Sequence, residues 1–306
     1  MHLIERLLGT GNRRGIISFS LAVFLFVVNE ALCKLVYGNL PTHQILAYRG
    51  IVATLVIFGV VHSVGATGQI RRMFDRSVVL RSSVDLVGTY LYMIALFHIP
   101  LANMMSIHMS SPLMMTAMVA LVMREAVGWR RWSAVLAGFL GVLLVVQPNA
   151  GNFNIYSLLA VGAAACVVTR DLITRRIDPG ISSAIIILTN VGMMTVVATA
   201  LALAEGWLAM SWRDFTFLTL AGICVAGGYQ FAVDAFRHGE VPVIVPMRYT
   251  GLPWALLFGY LIWGDVPNAL ASVGILLIVG SGLYVLHRER IRGKLAATKT
   301  AAEPPP

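Results

Sequence analysis

Apolar residues run in blocks of about twenty, separated by short polar stretches, over almost the whole chain to about position 287. A block of that length crosses the ~30 Å hydrocarbon core of a bilayer as a helix. The pattern predicts ten spans, near 15–37, 43–64, 82–99, 101–123, 130–147, 154–174, 182–204, 215–236, 242–263 and 267–287. Pro41, Pro148, Pro179 and Pro267 punctuate span ends, whereas Pro100, Pro112, Pro242, Pro246 and Pro253 stand at starts or inside spans. A proline inside a helix removes one backbone hydrogen bond, so kinks are expected there.

Composition agrees with this reading. Of 306 residues 58% are hydrophobic and 12% charged, against about a quarter charged in a soluble domain. A soluble enzyme is excluded. Cys33, Cys166 and Cys224 all lie in apolar runs without C-x-x-C spacing, which speaks against a disulfide framework or a thiolate zinc site. The net charge of +9 raises the question of nucleic acid, and the positions of the 23 Lys and Arg answer it. Eighteen fall on one side of the predicted topology, before the first span, in alternate loops and in the tail, against Arg213 alone on the other. That asymmetry marks the cytoplasmic face, so both termini are expected there and no nucleic-acid partner is implied. The first apolar run carries Asn29, Glu30 and Lys34 and no small-residue cleavage site, so it is read as a retained helix.

Shifting the chain by 140 residues aligns Val27-Val28-Asn29-Glu30-Ala31-Leu32 with Val167-Val168-Thr169-Arg170-Asp171-Leu172, Glu125 with Asp265, and His108 with Arg248. Two five-helix units are therefore expected. Five is odd, so the second unit enters the membrane from the opposite side, an arrangement typical of transporters. The expected fold is all-α and integral to the membrane, with ten transmembrane helices as two inverted five-helix repeats. The expected divisions are a cytoplasmic start at 1–14, repeats at 15–148 and 149–287, and a basic, disordered cytoplasmic tail at 288–306.

Several stretches carry a family likeness: Pro100-Leu101-Ala102-Asn103, Ser111-Pro112-Leu113, Arg124-Glu125-Ala126-Val127, Gly138-Phe139-Leu140-Gly141-Val142 and, in the second half, Trp254-Ala255-Leu256-Leu257-Phe258-Gly259-Tyr260 with Gly264-Asp265-Val266-Pro267. They resemble the drug/metabolite transporter superfamily in its ten-helix bacterial branch. Arg124 stands where that pattern has Gly, and Asp265 where it has Glu. Glu30-x-x-x-Lys34, Pro41-x-x-Gln44-x-x-x-x-Arg49 and Arg170-Asp171-Leu172-x-x-Arg175 resemble the group of riboflavin and S-adenosylmethionine uptake carriers. The resemblance implies a bacterial inner-membrane carrier, riboflavin uptake being the first substrate to consider and export of amino acids or drug-like metabolites the alternative.

A charge at bilayer depth costs about 2.5–3.5 kcal/mol, so ionisable residues inside spans are the candidate machinery. Two polar layers are expected: an outer one of Glu30, Arg49 and His108, and an inner one of Arg170, Asp171, Asp234 and Arg248. Between them Tyr90, Tyr92, Asn103, Ser106, Gln230, Tyr249 and Trp254 offer faces and hydrogen bonds to a flat solute. The plainer readings are that Glu30 pairs with Lys34 one turn on, that Lys34 snorkels to the interface, and that Arg170 joins the basic belt with Arg175 and Arg176. For Lys34 and Arg170 the plainer reading is preferred. The methionines between Met104 and Met118 read as adaptable packing, and no metal or cofactor is expected. Helices five and ten lack central charges and are candidates for a homodimer contact. The partners expected are thus a small metabolite and the lipid bilayer.

No H-E-x-x-H, G-x-S-x-G or Walker A loop occurs, and His238-Gly239-Glu240 is followed by no C-x-x-C. The chain is accordingly read as no enzyme, and any uphill transport would draw on an ion or solute gradient.

Overall fold

The structure, a computed structural model, describes residues 11–122, 128–147 and 154–302; the readings that rest on Arg124, Glu125 and Pro148 lie outside these. Among the described residues every regular element is helical. In chain order they are α1 (Gly11–Val36), α2 (Thr42–Ser63), α3 (Arg76–His98), α4 (Leu101–His108), α5 (Ser111–Val122), α6 (Trp129–Val146), α7 (Ile155–Thr174), α8 (Ser183–Glu205), α9 (Trp212–His238), α10 (Val241–Ile244), α11 (Gly251–Phe258) and α12 (Ala269–Ala302).

Seven of these, α1, α2, α3, α7, α8, α9 and the first part of α12, are long and apolar enough to cross a membrane, and α6 holds a shorter apolar stretch. The protein is therefore an all-helical membrane protein. Two of the ten expected spans are not continuous helices. The segment expected at 101–123 is α4 and α5 with a turn at Met109 and Ser110 between them. The segment expected at 242–263 is α10, a 3-10 stretch at Val245–Thr250, α11 and a π turn at Gly259–Trp263.

The prolines explain both breaks. Pro112 has no N–H to give His108, and the Ser111 hydroxyl donates to that carbonyl instead, while Ser110 donates to the carbonyl of Ile107 at 2.6 Å. Polar groups freed by the break are thus satisfied locally. In the second segment Pro246 interrupts the ladder, and the Thr250 hydroxyl donates to the Met247 carbonyl at 2.7 Å. Gly264, with φ +70°, ends the π turn in the left-handed region, where glycine carries no Cβ penalty.

The main packing partners are α1 with α9, α3 with α7, α2 with α8, and α6 with α12, and the broken segments meet where α4 touches α11. Small residues allow close approach: a Cβ on Gly141 of α6 would lie 2.7 Å from the Gly274 carbonyl of α12. Core residues such as Val27, Ala31, Leu96, Leu101, Met104 and Ile278 fill the interior, while Leu55, Phe58, Phe139, Val196, Leu203 and Leu276 point outward. An apolar exterior is what lipid demands.

The two ends of the bundle are closed differently. At the end where α1 begins, Arg14 pairs with Asp234, Ser18 donates to the same carboxylate at 2.7 Å, and Arg72 pairs with Asp178 at 2.8 Å. At the far end Asn39 donates to Asp214 at 3.0 Å, and the Gln147 and Asn268 amides bond each other twice. Each end also has a glutamine whose side-chain amide brackets main chain. Gln44 donates to the Leu208 carbonyl at 2.7 Å and accepts from the Leu208 N–H at 3.0 Å. Gln69 donates to the Gly180 carbonyl at 3.3 Å and accepts from the Ser182 N–H at 2.8 Å.

Candidate functional site

α3 organises the interior. Asp85 and Tyr92 are seven residues apart, so both face the same side of the helix, about 10 Å apart along its axis. A polar group gathers at each.

At Asp85 the group is held by direct ion pairs. Arg170 of α7 donates through Nη1 to Asp85 Oδ1 and through Nε and Nη2 to Asp171 Oδ1 at 3.0 and 2.9 Å. Asn190 of α8 donates to Asp85 Oδ2. Arg81 and Tyr229 border the same charges, with Arg81 Nε on the Thr174 hydroxyl at 3.2 Å and Arg81 Nη1 buried without a partner among the described residues. Asp85 is 6% exposed. A buried pair of this kind needs further hydrogen bonds to hold, and Asn190 supplies one to the second Asp85 oxygen. Arg170 thus sits in the bundle, tied across α3 and α7, rather than in a surface belt with Arg175 and Arg176.

At Tyr92 the group is open. Arg49 of α2 donates to Asn29 Oδ1 at 3.2 Å, and the Cys33 thiol donates weakly to that oxygen from 3.8 Å. Glu30 is 8% exposed, with Arg49 and Tyr92 as the polar groups acting on it. Yet Glu30 Oε2, Arg49 Nε and Tyr92 Oη are buried without a hydrogen-bond partner among the described residues. Lys34 does not pair with Glu30: its ammonium bonds the Ile99 carbonyl and lies 5.2 Å from the Trp263 ring.

The broken segments meet between these groups. His108, the last residue of α4, stands edge-on to Tyr92 with ring centroids 5.2 Å apart, and its Nδ1 has no partner. Arg248 and Tyr249 occupy the 3-10 stretch of the second broken segment. Arg248 is the first charge to act on His108, ahead of Arg170 and Asp85. Tyr249 is buried with its hydroxyl unpaired, and its ring tip lies so close to Gly282 that a Cβ there would be 2.8 Å from Cζ. Helix α12 therefore borders the interior at Gly282 as well as packing on α6. Asn103, with Oδ1 unpaired, lines a cavity of about 290 Å³ that opens at the far end between α4, α6, α7 and residues 265–268.

Other expected residues lie elsewhere. Tyr90 bonds His43 at 3.3 Å near the far end, and His43 meets Glu205 at 3.1 Å. Asp234 is held by Arg14, Ser18 and His238, apart from the Arg170 group. Trp254 is 37% exposed and packs edge-on against Phe24 at 4.8 Å, on the outside of the bundle. Gln230 is partly buried beside Tyr229, and Ser106 spends its hydroxyl on the Ala102 carbonyl. Sequence reading overlooked Asp85, Asn190 and Arg81. The signal was present: Asp85 is the one carboxylate between residues 82 and 99, and Asn190 the one side-chain amide between 182 and 204, each costly at depth unless partnered.

Comparison with known proteins now bears on this arrangement. Residues 13–147 match the EamA-like transporter family. The chain is 25% identical over 268 residues to the pseudopaline exporter CntI of Pseudomonas aeruginosa, covering 87% of this chain and 94% of that protein. It is 26% identical over 267 residues to a riboflavin transporter of Vibrio cholerae, covering 87% and 90%. It is 23% identical over 277 residues to an S-adenosylmethionine uptake transporter of Rickettsia bellii, covering 90% and 94%. A solved crystal structure shares the fold, with a TM-score of 0.64 over 92% of this chain and 99% of that one at 17% identity. Residues 13–147 thus carry an EamA-like domain of the drug/metabolite transporter superfamily, within an all-helical membrane protein that has, among the described residues, seven helices long and apolar enough to cross a membrane.

Proposed function

We propose that the chain is a bacterial inner-membrane secondary carrier that moves a small organic metabolite by alternating access between two inverted five-helix halves. The basic end, where α1 starts, faces the cytoplasm, and the charge asymmetry of the loops supports that placement. The observation that carries the reading is the meeting of two broken helices, α4/α5 and α10/α11, in an interior lined by unpaired polar atoms of Glu30, Arg49, Tyr92, His108 and Tyr249. Discontinuous helices in corresponding places of two halves are how many carriers build a midplane site.

Helix pairing supports the two halves. Exchanging each span with its mate five spans on turns the α1–α9 contact into the α3–α7 contact, and returns α2–α8 and α6–α12 to themselves. The glutamine brackets follow the same exchange: Gln44 with residue 208 at the far end corresponds to Ser182 with residue 69 at the basic end. One bracket opening while the other closes gives each face a gate.

Riboflavin uptake is the first substrate to test, since the uptake relatives include a riboflavin transporter and aromatic rings border the interior. The experiment is labelled riboflavin uptake by a riboflavin auxotroph expressing the chain, against empty vector and Arg248→Ala at equal membrane abundance. Saturable uptake lost in the variant supports the substrate and the site together. Uptake equal to vector at good expression removes riboflavin and leaves the carrier. The second reading, export of an acidic or amino-acid-like metabolite, is favoured by Arg248, whose charge a neutral flavin leaves unmatched.

A further inference from the structure

The interior holds one cation too many. Arg49, Arg81, Arg170 and Arg248 face Glu30, Asp85 and Asp171, so four guanidinium groups meet three carboxylates. Arg170 has Asp85 and Asp171, Arg49 has Asn29 and the field of Glu30, and Arg81 has Thr174 and the field of Asp85. Arg248 makes no hydrogen bond or ion pair among the described residues. Its one opposite charge is Asp171, whose Oδ1 already takes two N–H groups from Arg170, and Arg170 itself repels it.

An isolated guanidinium is very costly in a low-dielectric interior, because five donors and a full charge leave water. Arg248 nevertheless lies deep in the bundle while keeping some accessible surface. Its charge acts on two neutral hydrogen-bonding groups, His108, whose Nδ1 is unpaired, and Tyr249, whose hydroxyl is unpaired. His108 and Arg248 also stand on the two broken segments, at the place where the halves meet.

We infer that the transported solute carries a carboxylate or phosphate, and that Arg248 receives it while His108 and Tyr249 hydrogen-bond its surroundings. A guanidinium fork matches either group with two parallel N–H bonds. The inference rests on the carrier reading for its purpose, and it narrows the substrate: acidic metabolites rank above neutral ones of the same shape.

The test uses the purified full chain in phospholipid-free non-ionic detergent, read by thermal unfolding, so it needs no flux. Without ligand, Arg248→Gln is expected to melt at or above the wild type, because an unmatched charge has been removed. A lower melting temperature, or a variant that does not fold, means that Arg248 has a protein partner and overturns the inference. Two matched pairs are then titrated, riboflavin 5′-phosphate against riboflavin and nicotinate against nicotinamide. In at least one pair the anionic member is expected to stabilise the wild type at about tenfold lower concentration. The preference should fall in Arg248→Lys and vanish in Arg248→Gln. No preference in either pair, or a preference that survives Arg248→Gln, overturns it. Added anionic phospholipid should leave the solute shift in place; abolition of the shift makes lipid phosphate the occupant and also overturns it. Absence of flux for every solute in sealed vesicles, with the Arg248-dependent preference intact, would remove the carrier reading and leave the anion site.

Discussion

The two polar groups on α3 use the same residue types to opposite ends. Around Asp85 the charges are joined by direct hydrogen bonds, Arg170 reaching two carboxylates and Asn190 bonding the second Asp85 oxygen, although Arg81 Nη1 beside them is buried without a partner among the described residues. Around Tyr92 the charges of Glu30 and Arg49 are close, but a carboxylate oxygen, a guanidinium nitrogen and a phenol are left unpaired. In a medium without water a directly bonded ion pair costs least when it stays intact, so the Asp85 group acts as a joint between α3, α7 and α8. An unsaturated group gains by exchanging partners, as the alternating access proposed above would require.

The largest effect that can break this comparison is expected at the joint. Asp85→Ala leaves Arg170 and Asn190 facing an empty place, at a cost of about 3–5 kcal/mol. The measurement is the melting temperature and monodisperse yield of the detergent-purified chain. Asp85→Asn, which keeps an acceptor for Asn190, should lose less. If Asp85→Ala folds and melts like the wild type, the joint does not exist.

The open group should respond in the reverse sense. Glu30→Gln and Arg49→Gln are each expected to cut transport about tenfold, equivalent to about 1.4 kcal/mol, with little change in melting temperature. Because the two act as one unit, the double variant should be no worse than the single ones. Fully additive losses would separate Glu30 from Arg49.

Smaller effects are expected at the ends. Gln44→Ala and Gln69→Ala each remove two hydrogen bonds to main chain at one face, worth about 1 kcal/mol each. They should bias the carrier toward opposite states, visible as opposite changes in labelling of single cysteines placed at the two faces. The same change from both would show that the brackets are not mates.

The smallest effect is a pH dependence at the exposed Arg72 and Asp178 pair. The Gly180 backbone N–H, 2.9 Å from Asp178, and then the Arg72 guanidinium hold this carboxyl below its ordinary value of 3.8. A carboxyl lowered by folding adds stability above its unfolded pKa and loses it as pH falls through the folded one. Melting temperature followed from pH 6 down to about pH 3 should therefore decline less in Asp178→Asn than in the wild type. An unchanged slope places the acid sensitivity elsewhere.

Much of this was legible in the chain because bilayer physics is one-dimensional. A twenty-residue apolar run must be a helix to satisfy its own backbone, so span positions followed from length, and Pro112 and Pro246 marked where two spans are interrupted. The cost of charge at depth singled out Glu30, Arg49, His108, Asp171 and Arg248, which lie about the interior of the bundle, and equally Asp234, which lies apart with Arg14; Arg170, assigned to the surface belt, is instead tied to Asp85.

Partnership was not legible, because it depends on helix rotation. Lys34 is one turn from Glu30 yet turns to Ile99 and Trp263, and Trp254 follows Arg248 by six residues yet faces outward to Phe24. Nothing in the sequence around Asp85 names its partners, which α7 and α8 bring to it as Arg170 and Asn190. Sequence by itself determined which segments are apolar enough to enter a membrane and which residues would be costly there. Only the tertiary structure decided which of those charges cancel and which stay open, since a buried charge is stabilised by atoms within a few ångströms and these come from helices distant in the chain.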